Sequence, residues 1–138
     1  MYNVCMKTKP QDAVKLGIGA EATVLDKLNS LGINARPARG HMPYDILLSD
    51  GRRVEVKTRF FTSKKTSDGR PVYDFILCGT GVDPHDRADF FICVIIDEFF
   101  VIPTENLDHR GHISIQWPTG HMKRSKWSMY HNQFDLLK

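Results

Sequence analysis

Long apolar runs are missing from this chain. No stretch approaches the roughly 20 apolar residues needed to cross a bilayer, and residues 1–9 lack the apolar core of a secretory leader. No membrane association is therefore expected, and cytoplasmic residence is the default. Cysteine is also scarce. Cys5, Cys78 and Cys93 are odd in number and far apart, and two lie in apolar runs. That pattern speaks against a disulfide framework or a zinc site and for reduced, structural thiols. Histidine does not revive zinc, because His85, His109, His112, His121 and His131 show no short paired spacing with cysteines. Nor is there a large surplus of one charge: 19 Lys and Arg against 16 Asp and Glu give a formal +3. This is compatible with a polyanionic partner without demanding one.

What is present suits a folded, globular chain. With 41% apolar and 25% charged residues over 138 positions, one self-sufficient core is expected, and residues 1–138 are read as a single domain without repeats or linkers. Residues 11–31 carry the first periodic signal: Val24, Leu25, Leu28 and Leu31 form a helical stripe, and Gly32 stands where a helix stops. Gly17 and Gly19 leave its start open. Strand patterns follow at 44–48 and 52–57 around Ser49-Asp50-Gly51, which reads as a hairpin, and at 72–77 after a polar loop over 62–71. The apolar run 90–96 suits a strand buried on both faces and is the expected sheet centre. Residues 99–102 are its hairpin partner across Asp97-Glu98. In the tail, Trp127, Tyr130, Phe134 and Leu137 are spaced for a last helix. The fold expected is α/β, a central mixed β-sheet flanked by helices.

The chemistry turns on the first hairpin. A two-residue turn would put Asp45 and Glu55 on opposite faces. A three-residue turn with Gly51 in the left-handed position pairs Leu48 with Arg52 and hence Asp45 with Glu55. The hydrophobic pattern favours the second register. Ile46, Leu48, Val54 and Val56 then make one face, apolar except for Arg52 beside the turn, while Arg53, Glu55 and Lys57 share the other. Two adjacent carboxylates repel unless a cation or a proton lies between them, and oxygen ligands suit Mg²⁺, which needs only one or two protein carboxylates. Such an ion leaves its other positions to water and substrate phosphate, and Lys57 would point at that phosphate, where it could orient or deprotonate an attacking water and offset developing negative charge. Glu21 lies three and four residues before Val24 and Leu25, in or beside the buried stripe, where a carboxylate needs a partner; the alternative is the exposed margin of that stripe.

Pro43-Tyr44-Asp45 followed by Glu55-Val56-Lys57, after a helix bearing Glu21, resembles the PD-(D/E)XK nuclease superfamily of restriction enzymes, Holliday junction resolvases and repair nucleases. The similarity runs over about residues 17–102; Tyr44 between Pro43 and Asp45 departs from a strict Pro-Asp pair. The resemblance implies a restriction endonuclease-like core and a metal-dependent deoxyribonuclease. Asp45, Glu55 and the Val56 carbonyl would bind Mg²⁺, with Mn²⁺ as substitute. Lys57 would handle the water, and Glu21 would help with a metal or its water. The catalytic set expected is Glu21, Asp45, Glu55 and Lys57, with DNA as partner and a homodimer compatible with the two-fold symmetry of a duplex. An inactive nucleic-acid-binding module of the same fold is the alternative.

Basic residues outside the motif are read as DNA contacts: Arg39, Arg53, Lys64, Lys65, Lys123, Arg124 and Lys126. A solvated surface explains any one of them as well. His41 reads as an exposed loop residue rather than a catalytic one. Trp117, Trp127 and Tyr130 offer either base stacking or core packing.

Overall fold

A computed structural model describes residues 10–77, 83–107, 111–117 and 126–138, with side chains from residue 19 onward. The first helix, α1 (Pro10–Ser30), runs through Gly17 and Gly19 without a break. Its apolar stripe is the expected one: Val24 and Leu28 are fully buried with Ala20, Leu25 packs beside them, and Leu31 lies at the exposed margin. Gly32, at φ +78°, ends the helix. Its N–H donates to the Asn29 carbonyl (3.0 Å), and the next N–H, of Ile33, reaches back to Leu28 (2.9 Å). This closure needs a left-handed residue and satisfies two of the last carbonyls.

Five strands form the central sheet: β1 (Ala35–Pro37), β2 (Ile46–Leu48), β3 (Arg53–Arg59), β5 (Phe90–Ile95) and β6 (Glu98–Pro103), in the order β1-β2-β3-β5-β6. Only β3 and β5 run parallel; the other pairs are antiparallel, so the sheet is mixed as expected. Between β3 and β5 the chain forms β4 (Val72–Ile76), which pairs with β7 (His112–Gln116) as a separate two-stranded ribbon, and the one-turn helix α2 (Pro84–Arg87). Alternation along β5 and β6 sorts the core into two layers. Ile92, Val94, Phe99 and Val101 pack with α1, whereas Phe91, Cys93, Ile95, Phe100 and Ile102 pack with Tyr73, Phe75, Ile113 and Ile115 of the ribbon. No helix among the described residues is long and apolar enough to cross a membrane.

Several expectations are corrected. The sheet centre is β3, with β5 beside it. Both are interior, and the apolar run marked burial on two faces but could not mark position. The β5–β6 turn is Ile96-Asp97, because Ile95 pairs with Glu98. The tail is two short 3₁₀ turns, Ser128–Tyr130 and Phe134–Leu137, rather than a helix. Between them His131 bridges to Phe100 and the Asn132 N–H donates to the Phe99 carbonyl (2.8 Å), which forces the chain to extend along the edge of β6. Trp127 thereby reaches the ribbon-side layer, while Phe134 and Leu137 reach the α1-side layer. Strands β1 and β7 and helix α2 were not anticipated.

Ile96 adopts φ +60° although it is β-branched and 53% exposed. Its N–H is held by the Arg59 carbonyl (3.1 Å), so the parallel ladder imposes a conformation that costs an L-residue about 1–2 kcal/mol. Ile96→Asn should raise stability by about 1 kcal/mol, read as a higher urea midpoint at unchanged slope. A lower midpoint would mean that the Ile96 side chain contributes contacts exceeding the strain.

Candidate active site

The hairpin that carries the motif has the register expected. Ile46 pairs with Val54 and Leu47 with Arg53. The Gly51 N–H closes on the Leu48 carbonyl and the Leu48 N–H on the Arg52 carbonyl, each at 2.9 Å. Gly51 takes φ +92°, as a three-residue turn with a left-handed closing residue demands. Val54 and Val56 therefore enter the α1-side layer, and Glu55 and Lys57 share the other face, their side chains 3.2 Å apart.

Asp45 does not simply continue the strand. Its N–H donates to the Val54 carbonyl (2.9 Å), and its Oδ2 accepts the Val56 N–H at 2.7 Å. The carboxylate thus stands where a regular ladder would supply a further main-chain carbonyl, and β2 begins only at Ile46. Departure from strand geometry, rather than alternation alone, brings this carboxylate to its place beside β3. Glu21, from α1, lies near enough for its charge to act on Asp45.

Burial and charge reinforce one another here. Asp45 is pushed up to about 7, first by burial and then by the charges of Glu55 and Glu21, against the Val56 N–H and Lys57, which favour its ionised form. Burial and the Glu55 charge also raise Glu21. Glu55 is itself only 4% exposed. It is compensated by Arg87, whose Nη2 lies 2.8 Å from Oε2, and by Lys57, whose Nζ lies 3.2 Å from the same oxygen. Arg87, on α2, is the site residue that the sequence reading missed. The signal was available: Asp83 before Pro84 is a helix start, and its side chain accepts the His85 N–H.

Among the described residues, no three His, Cys, Asp or Glu side chains are grouped so that they could hold a metal ion together. The donor set fits a different kind of ion. Asp45 and Glu55, with Glu21 behind them, are crowded oxygen donors whose repulsion at Asp45 is offset only in part by Lys57 and the Val56 N–H. An octahedral ion that takes one or two carboxylates and fills its shell with water and phosphate oxygens matches that need.

The other predicted residues lie apart. Arg53 is clamped by Asp89, through its N–H at 2.8 Å and through Nε and Nη2 at 3.2 and 3.3 Å, so its guanidinium is committed to the fold. Lys64 pairs with Asp74 (3.1 Å), while Arg39, His41 and Lys65 are exposed. Lys126 is exposed and its Nζ sits 4.7 Å from the Trp127 ring centroid. Lys123 and Arg124 lie outside the described residues, as do Cys5 and Cys78. Trp127 is buried, and Trp117 and Tyr130 pack against the same layer, which favours packing over stacking on bases. Cys93 is free and buried, its thiol raised by burial.

No family model matches the chain, and no curated protein is similar to it in sequence. Its fold is similar to that of a bacterial homing endonuclease, I-Ssp6803I, at a TM-score of 0.64 and 16% identity, over 88% of this chain and 89% of the other. The α/β architecture with its mixed five-stranded sheet fits the restriction endonuclease-like core expected.

Because the fold holds Asp45 protonated up to about pH 7, its contribution to stability has a definite sign. Below about pH 4 both folded and unfolded chains carry the proton and nothing is lost. As pH rises towards 7 the unfolded chain releases it first, so the metal-free protein loses stability over that window. In chelator, Asp45→Asn, which keeps an acceptor for the Val56 N–H, should be more stable than wild type at pH 8. We expect a gain on the order of 2 kcal/mol that vanishes near pH 4. Thermal unfolding across that range checks this, and a pH-independent difference would sink it.

Proposed function

We propose that the chain is a Mg²⁺-dependent DNA endonuclease of the PD-(D/E)XK type, which hydrolyses phosphodiester bonds by in-line attack of water. The observation that carries the reading is the juxtaposition of Asp45, docked on the Val56 N–H, with Glu55 and Lys57 of β3 and Glu21 of α1. The fold shared with a homing endonuclease supports it. Asp45, Glu55 and the Val56 carbonyl would hold the ion, Mn²⁺ serving as substitute, with Glu21 on the ion or its water. Bound there, Mg²⁺ would supply Lewis-acid activation and neutralise charge at the phosphate. Lys57, as the ammonium paired with Glu55, would orient the attacking water and offset the charge developing on the phosphate oxygens, the water's proton passing to solvent.

Of the predicted contacts among the described residues, Arg39, Lys65 and Lys126 are exposed cations available to follow a DNA backbone. Lys64 would have to exchange Asp74 for phosphate. Arg53 is proposed as structural, since Asp89 holds its guanidinium. A homodimer would deliver two sites to the two strands of a duplex, and cytoplasmic residence completes the reading. One observation favours the alternative, a binding module that does not cut: Oε2 of Glu55 is already engaged by both Arg87 and Lys57.

Supercoiled plasmid and branched DNA, incubated with and without Mg²⁺, separate the two. Cutting that requires the ion and falls by at least about 100-fold in Glu55→Ala and Lys57→Ala is the expected result. Intact DNA under every condition, with binding unaltered in both variants, would establish the non-cutting module instead.

A further inference from the structure

Arg87 is placed at the centre of the site yet belongs to no part of the motif. Its side chain is only 16% exposed and contacts Oε2 of Glu55 through Nη2 at 2.8 Å. Its Nε is buried without a hydrogen-bond partner among the described residues. Guanidinium groups recognise carboxylates and phosphates best through two parallel N–H bonds, and an idle buried donor is retained where something else supplies its acceptor. Meanwhile Glu55 has more cation than one carboxylate requires, because Lys57 lies 3.2 Å from the same oxygen. The two cationic nitrogens therefore already converge on one acceptor atom. An oxygen of a phosphodiester lying next to that atom would be within reach of both.

We propose that Arg87 is a phosphate ligand of the reaction: it holds Glu55 while the site is free of DNA and metal, and transfers its guanidinium to a non-bridging oxygen of the phosphodiester when Glu55 turns to a divalent ion. The inference rests on the nuclease reading above. Its distinguishing consequence is a pair of opposite signs. Arg87 competes with the ion for Glu55 in the absence of DNA, and assists the substrate in its presence. Removing it should tighten metal binding and weaken catalysis together, which a purely structural salt bridge would not do.

The test uses the full chain and the variants Arg87→Gln and Arg87→Lys. Mn²⁺ is titrated without DNA, followed by calorimetry and by the rise in Tm, and single-turnover cleavage of plasmid is measured in Mg²⁺. For Arg87→Gln we expect Mn²⁺ affinity to rise about tenfold and cleavage to fall about 100-fold. Arg87→Lys keeps the charge but loses the fork, so it should bind Mn²⁺ as wild type does and cut about tenfold more slowly. Weaker Mn²⁺ binding in Arg87→Gln, or cleavage equal to wild type in either variant, overturns the proposal. If Arg87→Gln fails to fold, the cleavage rate of Arg87→Lys decides alone. Wild-type protein that neither binds Mn²⁺ nor cuts DNA would instead remove the nuclease reading itself, and this inference with it.

Discussion

The constraint on which this molecule depends is a carboxylate buried in the middle strand of its sheet. Glu55 is 4% exposed, and an ionised carboxylate in such surroundings costs several kcal/mol unless charge and hydrogen bonds compensate it. Lys57 supplies one counter-charge from the same strand, and Arg87 supplies the other from α2. A helix of one turn cannot hold an arginine in place unaided. The link after it is fixed by Asp89, which accepts the Arg53 N–H and guanidinium, while its own N–H donates to the Arg53 carbonyl at 2.9 Å. Arg53 thus ties the start of β3 to the chain two residues beyond Arg87. The buried acid at Glu55 and the Arg53–Asp89 pair together tie α2 to β3.

The neighbouring acids obey the opposite rule. Among the described residues the cation acting on Asp45 is Lys57, already paired with Glu55, and burial together with the Glu55 charge raises both Asp45 and Glu21. A site arranged purely for stability would hold neither acid there, or would match each with a base. Stability given up at one place, in a fold whose two core layers are otherwise well filled, is the usual signature of a group kept for its chemistry. A proton relieves that crowding at Asp45 as pH falls, the same electrostatic need that a bound cation would answer.

Much of this was legible because the relevant signals were local. The Val24 and Leu28 stripe, the stop at Gly32, and the register set by Ser49-Asp50-Gly51 each follow from a few adjacent residues. What sequence could not supply was long-range. Nothing in residues 125–138 announces that His131 will pair with Phe100, so regular spacing was read as a helix where the chain wraps an edge. Sheet order was equally hidden: the apolar run of β5 marks an interior strand, but the central place goes to β3 because β1 and β2 add on its other side. At the site, alternation predicted that Glu55 and Lys57 share a face, yet the bond from Val56 N–H to Asp45 depends on the ladder breaking at Ile46.

Similarity of fold at 16% identity follows from the same division between what packing requires and what chemistry requires. Layers of alternating apolar residues, as in β5 and β6, tolerate many substitutions provided volume and pattern persist, so architecture survives where sequence does not. Fold alone accordingly says little about reaction, since one scaffold hosts many activities. The functional reading has to be carried by the few side chains whose positions packing does not explain. Val54 and Val56 could exchange with other apolar residues and keep the sheet. Asp45, Glu55, Lys57 and Arg87 are instead each held by a directional contact to another member of the group or to β3. That interdependence within an otherwise permissive scaffold is what separates a site from a surface.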